Sequence, residues 1–191
     1  MKIPMAIAGI RGLLRATRHA PDRLLHSSRR RKLVSRLRMK PPGSVGFICY
    51  GNICRSPYAA AAASRGFDRA GIPIDVWSAG FIEPGRESPE TAQTVARRRG
   101  IDLVSHRSRL VIGEIAGGTN WVFVMEPWHA RAFRAQHGWA VLGLLGDLDP
   151  EPIHTRSIPD PVDRSVEVFE ECYARIDRCV GALVEVVSDG R

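Results

Sequence analysis

Four short apolar runs alternate with helix-patterned segments from Ser44 onward, and this alternation narrows the possible folds more than any other feature of the chain. Val45-Gly46-Phe47-Ile48-Cys49 follows a Pro-Gly break and reads as a buried strand. Ser56 to about Arg69 is Ala-rich, with Pro57 where a first helical turn tolerates it. Ile74 to Trp77 is a second strand. Ser88-Pro89-Glu90-Thr91 opens a helix that runs to about Arg99 and stops at Gly100. Trp121 to Met125 is a third strand, Pro127 to about Gly138 a helix, and Ala140 to Leu145 a fourth strand. Asp149 to Pro161, rich in Pro and Asp, reads as a long loop. From Ser165, residues Phe169, Cys172, Tyr173, Ile176, Val180, Leu183 and Val187 recur at three- and four-residue steps, the stripe of an amphipathic helix. Strands and helices in alternation imply an α/β fold, a parallel sheet with both faces covered. There is no internal repeat and no sign of a second folded domain.

Charge divides the chain in two. The 191 residues hold 28 Lys+Arg against 20 Asp+Glu, a formal net charge of +8. Residues 1–43 carry twelve of the basic side chains and one acid, Asp22, a net +11; residues 44–191 carry the remaining 16 against 19 acids, a net −3. The excess therefore belongs to a leader and says nothing for nucleic-acid binding by the body, for which no nucleic-acid partner is expected. Arg11 and Arg15 break up the apolar stretch that a secretory signal needs. Leu33, Val34 and Leu37 form one apolar stripe. The expectation for 1–43 is a basic extension, flexible or a short amphipathic helix, whose functional reading is weak contact with an anionic membrane surface or another polyanion. Met39 is an alternative start that would leave residues 1–38 untranslated. The folded domain would span 44–191. No apolar run approaches the ~20 residues of a membrane span.

Chemistry concentrates in Cys49-Tyr50-Gly51-Asn52-Ile53-Cys54-Arg55-Ser56-Pro57, where a strand ends and a helix begins. Its skeleton is Cys-x5-Arg. The same spacing recurs from Cys172 to Arg178, but there it lies within a helical stripe and has no glycine, so it cannot curl round an anion and Cys172 reads as core. In the first copy, Gly51 and Asn52 permit the left-handed backbone that turns successive N–H groups inward. The helix that follows adds amides and the positive end of its dipole, which bind phosphate and favour a thiolate at Cys49. Arg55 can grip two phosphoryl oxygens at once. Ser56 can donate to the sulfur. A poor leaving group also needs an acid. Asp160 lies in the long loop at the carboxyl edge of the sheet, and on the residues alone Asp147, Asp149 and Asp163 compete with it.

The Cys-x-Gly-Asn-Ile-Cys-Arg-Ser-Pro segment resembles the signature of the low-molecular-weight protein tyrosine phosphatases. Ser78-Ala79-Gly80, Ser105-His106-Arg107-Ser108-Arg109, Leu144-Leu145-Gly146-Asp147 and Asp160-Pro161 are similar to further segments of that family, in order, over 44–191. The resemblance implies a three-layer, flavodoxin-like fold with a four-stranded parallel sheet. It implies a protein tyrosine phosphatase acting through a cysteinyl-phosphate, with Cys49 as nucleophile, Arg55 as phosphate clamp and Asp160 as acid, then base. Tyr50, Gly51, Asn52, Ile53, Cys54 and Ser56 would form the phosphate-binding loop, supported by Ser78 and His106. Cys54 matches the family's second loop cysteine, able to form a reversible disulfide with Cys49. No cofactor and no metal are implied. The expected partner is a tyrosine-phosphorylated protein, by analogy with bacterial members a tyrosine kinase of polysaccharide export, and the thiol chemistry fits a reducing cytoplasm.

Departures matter too. Val162 and Asp163 follow Asp160-Pro161 where the family often has aromatics, so Phe81 or Tyr50 would have to supply an aromatic wall. An arsenate reductase on this scaffold needs further cysteines after the third strand, and Met125 to Ala135 has none, Cys172 and Cys179 lying elsewhere. Protein-arginine phosphatases carry Thr where this chain has Ile53, an apolar residue that suits a phenyl ring. A non-catalytic phosphate-binding module would fit a missing Cys, Arg or Asp, and none is missing.

Overall fold

Strand β1 (Ser44–Ile48) is buried at every position. It pairs in parallel with β2 (Asp75–Ala79) on one side and β3 (Trp121–Val124) on the other. β4 (Val141–Leu144) pairs in parallel with β3 and closes the order β2-β1-β3-β4. This is the computed structural model of the chain, and it describes residues 5–112, 121–137 and 141–190. Gly138 and Ala140, expected at the end of a helix and the start of a strand, lie outside the described residues. The helices are α1 (Met5–Met39), α2 (Arg55–Arg69), α3 (Glu90–Arg98), α4 (Pro127–His137) and α5 (Val166–Asp189). Leu145–Leu148 forms a 3-10 turn, which ends the fourth strand one residue early.

The strands alternate between two cores because successive side chains leave a strand on opposite faces. Val45, Phe47, Trp121 and Phe123 share one cluster with α2, α3, α5 and the end of α1. Ile48, Val122, Val124, Leu142 and Leu144 join Trp77 and Phe133 of α4 on the other face. β2 begins at Asp75, not Ile74, since the ladder starts with Ser44 opposite Asp75. Its Trp77 lies across Gly46, where a Cβ would stand 2.3 Å from the indole, so only glycine fits there.

The leader departs from the short helix expected. Among its described residues, α1 (Met5–Met39) runs for 35 residues. Its last turns dock on the body. Leu33 and Leu37 are buried in the main core, roughly 2 kcal/mol each. Trp121 Nε1 donates to Lys40 O at 2.8 Å, and the Arg36 guanidinium sits 5.4 Å from the Trp121 ring centre. Further back, buried His26 meets Asp149 O at 2.9 Å, Arg30 Nε donates to Leu148 O at 3.3 Å, and Asp22 accepts from Arg156 N at 3.2 Å. These partners lie more than a hundred residues away in sequence, where no local pattern reveals them.

Candidate active site

The sheet order reverses direction at β1, so a crevice opens at its carboxyl end, the usual ligand position in such sheets. Residues 49–54 turn there, and α2 begins at Arg55. The left-handed residue is Asn52, at φ 51°; Gly51 takes no positive φ, so the turn rests on Asn52 alone.

Asn52 is held from every side. Its Nδ2 donates to Ser56 Oγ and Ser78 Oγ, both at 2.9 Å. Its Oδ1 accepts from Arg109 N at 2.8 Å. Its carbonyl lies 2.7 Å from His106 Nε2. A carbonyl only accepts, so Nε2 carries the proton. Burial, with Arg109 and Arg107 nearby, lowers the His106 pKa and keeps the ring neutral. Ser56 Oγ accepts from Asn52, can donate to Ala79 O at 3.4 Å, and lies 3.1 Å from Cys49 Sγ, a contact in which either atom can donate. Gly80 packs against this turn: a Cβ would stand 2.7 Å from Tyr50 O and 2.9 Å from Asn52 N.

Arg55 is 1% exposed. Its NH1 donates to Glu126 Oε1 at 2.8 Å and Ile158 O at 3.0 Å, and its NH2 donates to Asp160 Oδ2. Burial opposes its charge, but Cys49, Asp160 and Glu126 outweigh burial and hold the guanidinium more firmly protonated. Its Nε is buried without a hydrogen-bond partner among the described residues, a donor still available to an anion. The competing aspartates separate by packing. Asp147 is paired with Arg156, Asp149 with Arg175 and Arg178, and Asp163 sits exposed at φ 58°. Asp160 is the one that reaches Arg55.

A cleft of about 140 Å3 opens on Cys49, lined by Tyr50, Ile53, Ile82, Asp160 and Val162 among others. Tyr50 stands at its mouth, its ring 5.6 Å from that of Trp128. Phe81 does not line the cleft; it packs behind, 6.1 Å from Trp128 and 5.8 Å from His129. Cys172 is core, yet not remote: its Sγ lies 3.8 Å from Pro159 O, beside Asp160. Burial pushes its thiol up to about 12 and raises that of Cys54 as well, so neither is a ready nucleophile. Glu126, Ile82, Trp128 and His129 were not legible as site residues. Glu126 alone left a signal, an acid directly after the third strand at the functional edge of the sheet.

His129 is fully buried, and its Nδ1 accepts from Glu126 N at 3.2 Å. Burial, then Arg55, lowers its pKa to about 3. An unfolded histidine binds a proton near 6.5, so the unfolded state takes up protons first as pH falls. The stabilisation is complete above 6.5 and is lost progressively toward 3. The urea midpoint should therefore drop between pH 7 and pH 5, and His129→Gln, which can still accept from Glu126 N, should flatten that slope. An unchanged slope would mean that His129 titrates alike in both states.

Residues 44–190 match the family described as low molecular weight phosphotyrosine protein phosphatase. The chain is 30% identical over 141 residues to the probable low molecular weight protein-tyrosine-phosphatase EpsP of Ralstonia solanacearum, covering 72% of this chain and 90% of that one. Its structure resembles that of the tyrosine phosphatase Wzb from Escherichia coli K30 in complex with sulphate, with a TM-score of 0.68 and 26% identity over 75% of this chain and 97% of Wzb. It is also similar to the YwlE arginine phosphatase of Geobacillus stearothermophilus, with a TM-score of 0.65 and 27% identity over 75% of this chain and 92% of YwlE. By that match, which spans the sheet, the Cys49 loop and the Asp160 loop, the chain belongs to the low molecular weight phosphotyrosine protein phosphatase family.

Proposed function

We propose that this phosphatase hydrolyses phosphotyrosine in two steps through a cysteinyl-phosphate at Cys49. The observation that carries this reading is a single constellation: Cys49 Sγ 3.1 Å from Ser56 Oγ, with Arg55 bridging to Asp160 at the same carboxyl edge. A phosphoryl dianion entering the loop competes with Asp160 for Arg55. Its binding frees the Asp160 carboxylate from Arg55, and Asp160 takes up a proton from solvent and turns it toward the leaving oxygen. Cys49 sulfur attacks phosphorus, the P–O bond to the phenol breaks, and Asp160 passes its proton to the departing oxygen. Arg55 and the loop amides stabilise the charge that builds on the equatorial oxygens. Asp160, now a carboxylate, takes a proton from water, which attacks phosphorus; the P–S bond breaks and Ser56 donates to the leaving thiolate.

Ile53, Ile82 and Val162 make an apolar slot, and Tyr50 adds a ring at the mouth, which favours a phenyl group over the cationic guanidinium of phosphoarginine. Asp160→Ala should slow aryl phosphates with poor leaving groups by about 10²- to 10⁴-fold, and p-nitrophenyl phosphate far less, because its leaving group needs little protonation. The check is a series of phenols of graded acidity. A uniform loss across the series would remove the acid role from Asp160.

The proposed partner is a tyrosine-phosphorylated protein, a tyrosine kinase of polysaccharide export in particular, and the proposed compartment is the cytoplasm. No helix among the described residues is long and apolar enough to cross a membrane. Exposed Leu24 and Leu25 beside Arg23 on α1 support weak contact with an anionic surface. Sedimentation with phosphatidylglycerol vesicles, lost in Leu24→Glu, is the measurement that would support it, and unchanged sedimentation would remove it.

A further inference from the structure

A second cleft, about 450 Å3, lies between α1, α4 and the edge strand β4. Six cations line it: Arg29, Lys32 and Arg36 from α1, Arg131 and Arg134 from α4, and Arg156 from the loop before Asp160. Its one carboxylate, Asp147, is already engaged twice by Arg156, with Nε at 3.1 Å and NH2 at 2.5 Å. Arg29 is bound to Asp22 at 2.8 Å. Lys32, Arg131 and Arg134 are exposed and enter no ion pair among the described residues. Three cations of the basic leader and three of the net-acidic body thus gather in one concavity, where they repel each other and attract a multivalent anion.

The shape favours one kind of anion. The floor is recessed: Leu33, Leu142 and Leu144 are buried there, and the Arg29 and Arg156 side chains are only 25% and 26% exposed. A flat bilayer cannot follow such a concavity, whereas an extended chain can. α4 also joins the two clefts. Trp128 packs on Tyr50 at the catalytic mouth, and Arg131 and Arg134 follow on the same helix, the second roughly 9 Å further along its axis. An extended peptide covers that span in about three residues.

We infer that this cleft holds an acidic or phosphorylated stretch of the substrate protein, close in sequence to the phosphotyrosine bound at Cys49. The inference rests on the phosphatase reading of that site. Half of its cations come from α1, outside the residues that match the family, so the device belongs to the extended form of the fold.

The test uses the full chain and two phosphotyrosine peptides, one with a six-Glu tract starting three residues from the phosphotyrosine and one with Gln in its place. KM should be about tenfold lower for the Glu peptide, the effect of a few exposed ion pairs, and the gap should shrink with added salt. In Lys32→Glu/Arg131→Glu/Arg134→Glu the preference should vanish, while kcat/KM for p-nitrophenyl phosphate stays within about twofold, which also certifies the fold. Equal KM values in the native chain, or a preference that survives the triple substitution, would overturn the inference. So would a triple variant that loses binding to phosphatidylglycerol vesicles in a chain indifferent to the two peptides. If the native chain failed to turn over p-nitrophenyl phosphate, the catalytic reading would fall. Fluorescence anisotropy of a labelled Glu peptide, tighter on the native chain than on the triple variant, would then still support the cleft.

Discussion

Cys49→Ser should abolish turnover of p-nitrophenyl phosphate, with kcat falling by roughly 10⁴- to 10⁶-fold, the scale at which removing a nucleophile acts. The reason is the sulfur itself. It is a far better nucleophile toward phosphorus than a serine hydroxyl, and a better leaving group when the phosphoenzyme breaks down. The substitution is nearly isosteric. Ser56 Oγ, 3.1 Å from the sulfur, can hydrogen-bond to either atom, and Asn52 holds the loop through groups that the change leaves alone. Thermal stability should therefore stay within a few degrees while activity disappears. Retention of even one per cent of activity would move the nucleophile elsewhere.

Asp149→Ala should cost about 3–5 kcal/mol of stability, the usual result of removing one partner from a buried ion cluster. Asp149 is 1% exposed. Its carboxylate accepts from Arg175 Nε at 3.1 Å, Arg178 Nε at 3.0 Å and Arg178 NH2 at 3.0 Å. Without it Arg175 is left packed against the loop with no carboxylate partner among the described residues, and Arg178 keeps only the exposed Glu151, 3.3 Å from its Nε. A chain of this length should lose roughly 10 °C in Tm, read by circular dichroism. Because Asp149 O also receives His26 of α1, the loop that carries Asp160 is tied to both helices at this point, and kcat should fall along with stability. A change below 1 kcal/mol would show that the arginines find other partners at no cost.

Local features of the fold were readable because their determinants are adjacent in sequence. The strand, the turn and the helix start around Cys49 are consecutive, and so are their reasons: a buried apolar run, a left-handed turn at Asn52, a proline in the first helical turn. The stripe from Phe169 to Val187 marked α5, since helical periodicity repeats every few residues. Of the two residues expected to permit the left-handed turn, Asn52 takes the positive φ and Gly51 does not.

What lay beyond the sequence depends on residues far apart along the chain. Asp160 stood among four aspartates of similar local appearance; packing separates them, with arginines taking Asp147 and Asp149 while Arg55 receives Asp160. Glu126 on Arg55, Trp128 beside Tyr50 and Cys172 under Pro159 each join separate elements. The leader's charge was plain from composition, but not its place. By itself the sequence determined the chemistry of the Cys49 loop and the alternation that makes a parallel sheet, both properties of neighbouring residues. Only the tertiary structure decided which carboxylates meet Arg55 and where the +11 leader settles, because those outcomes are set by burial and charge pairing between segments a hundred residues apart.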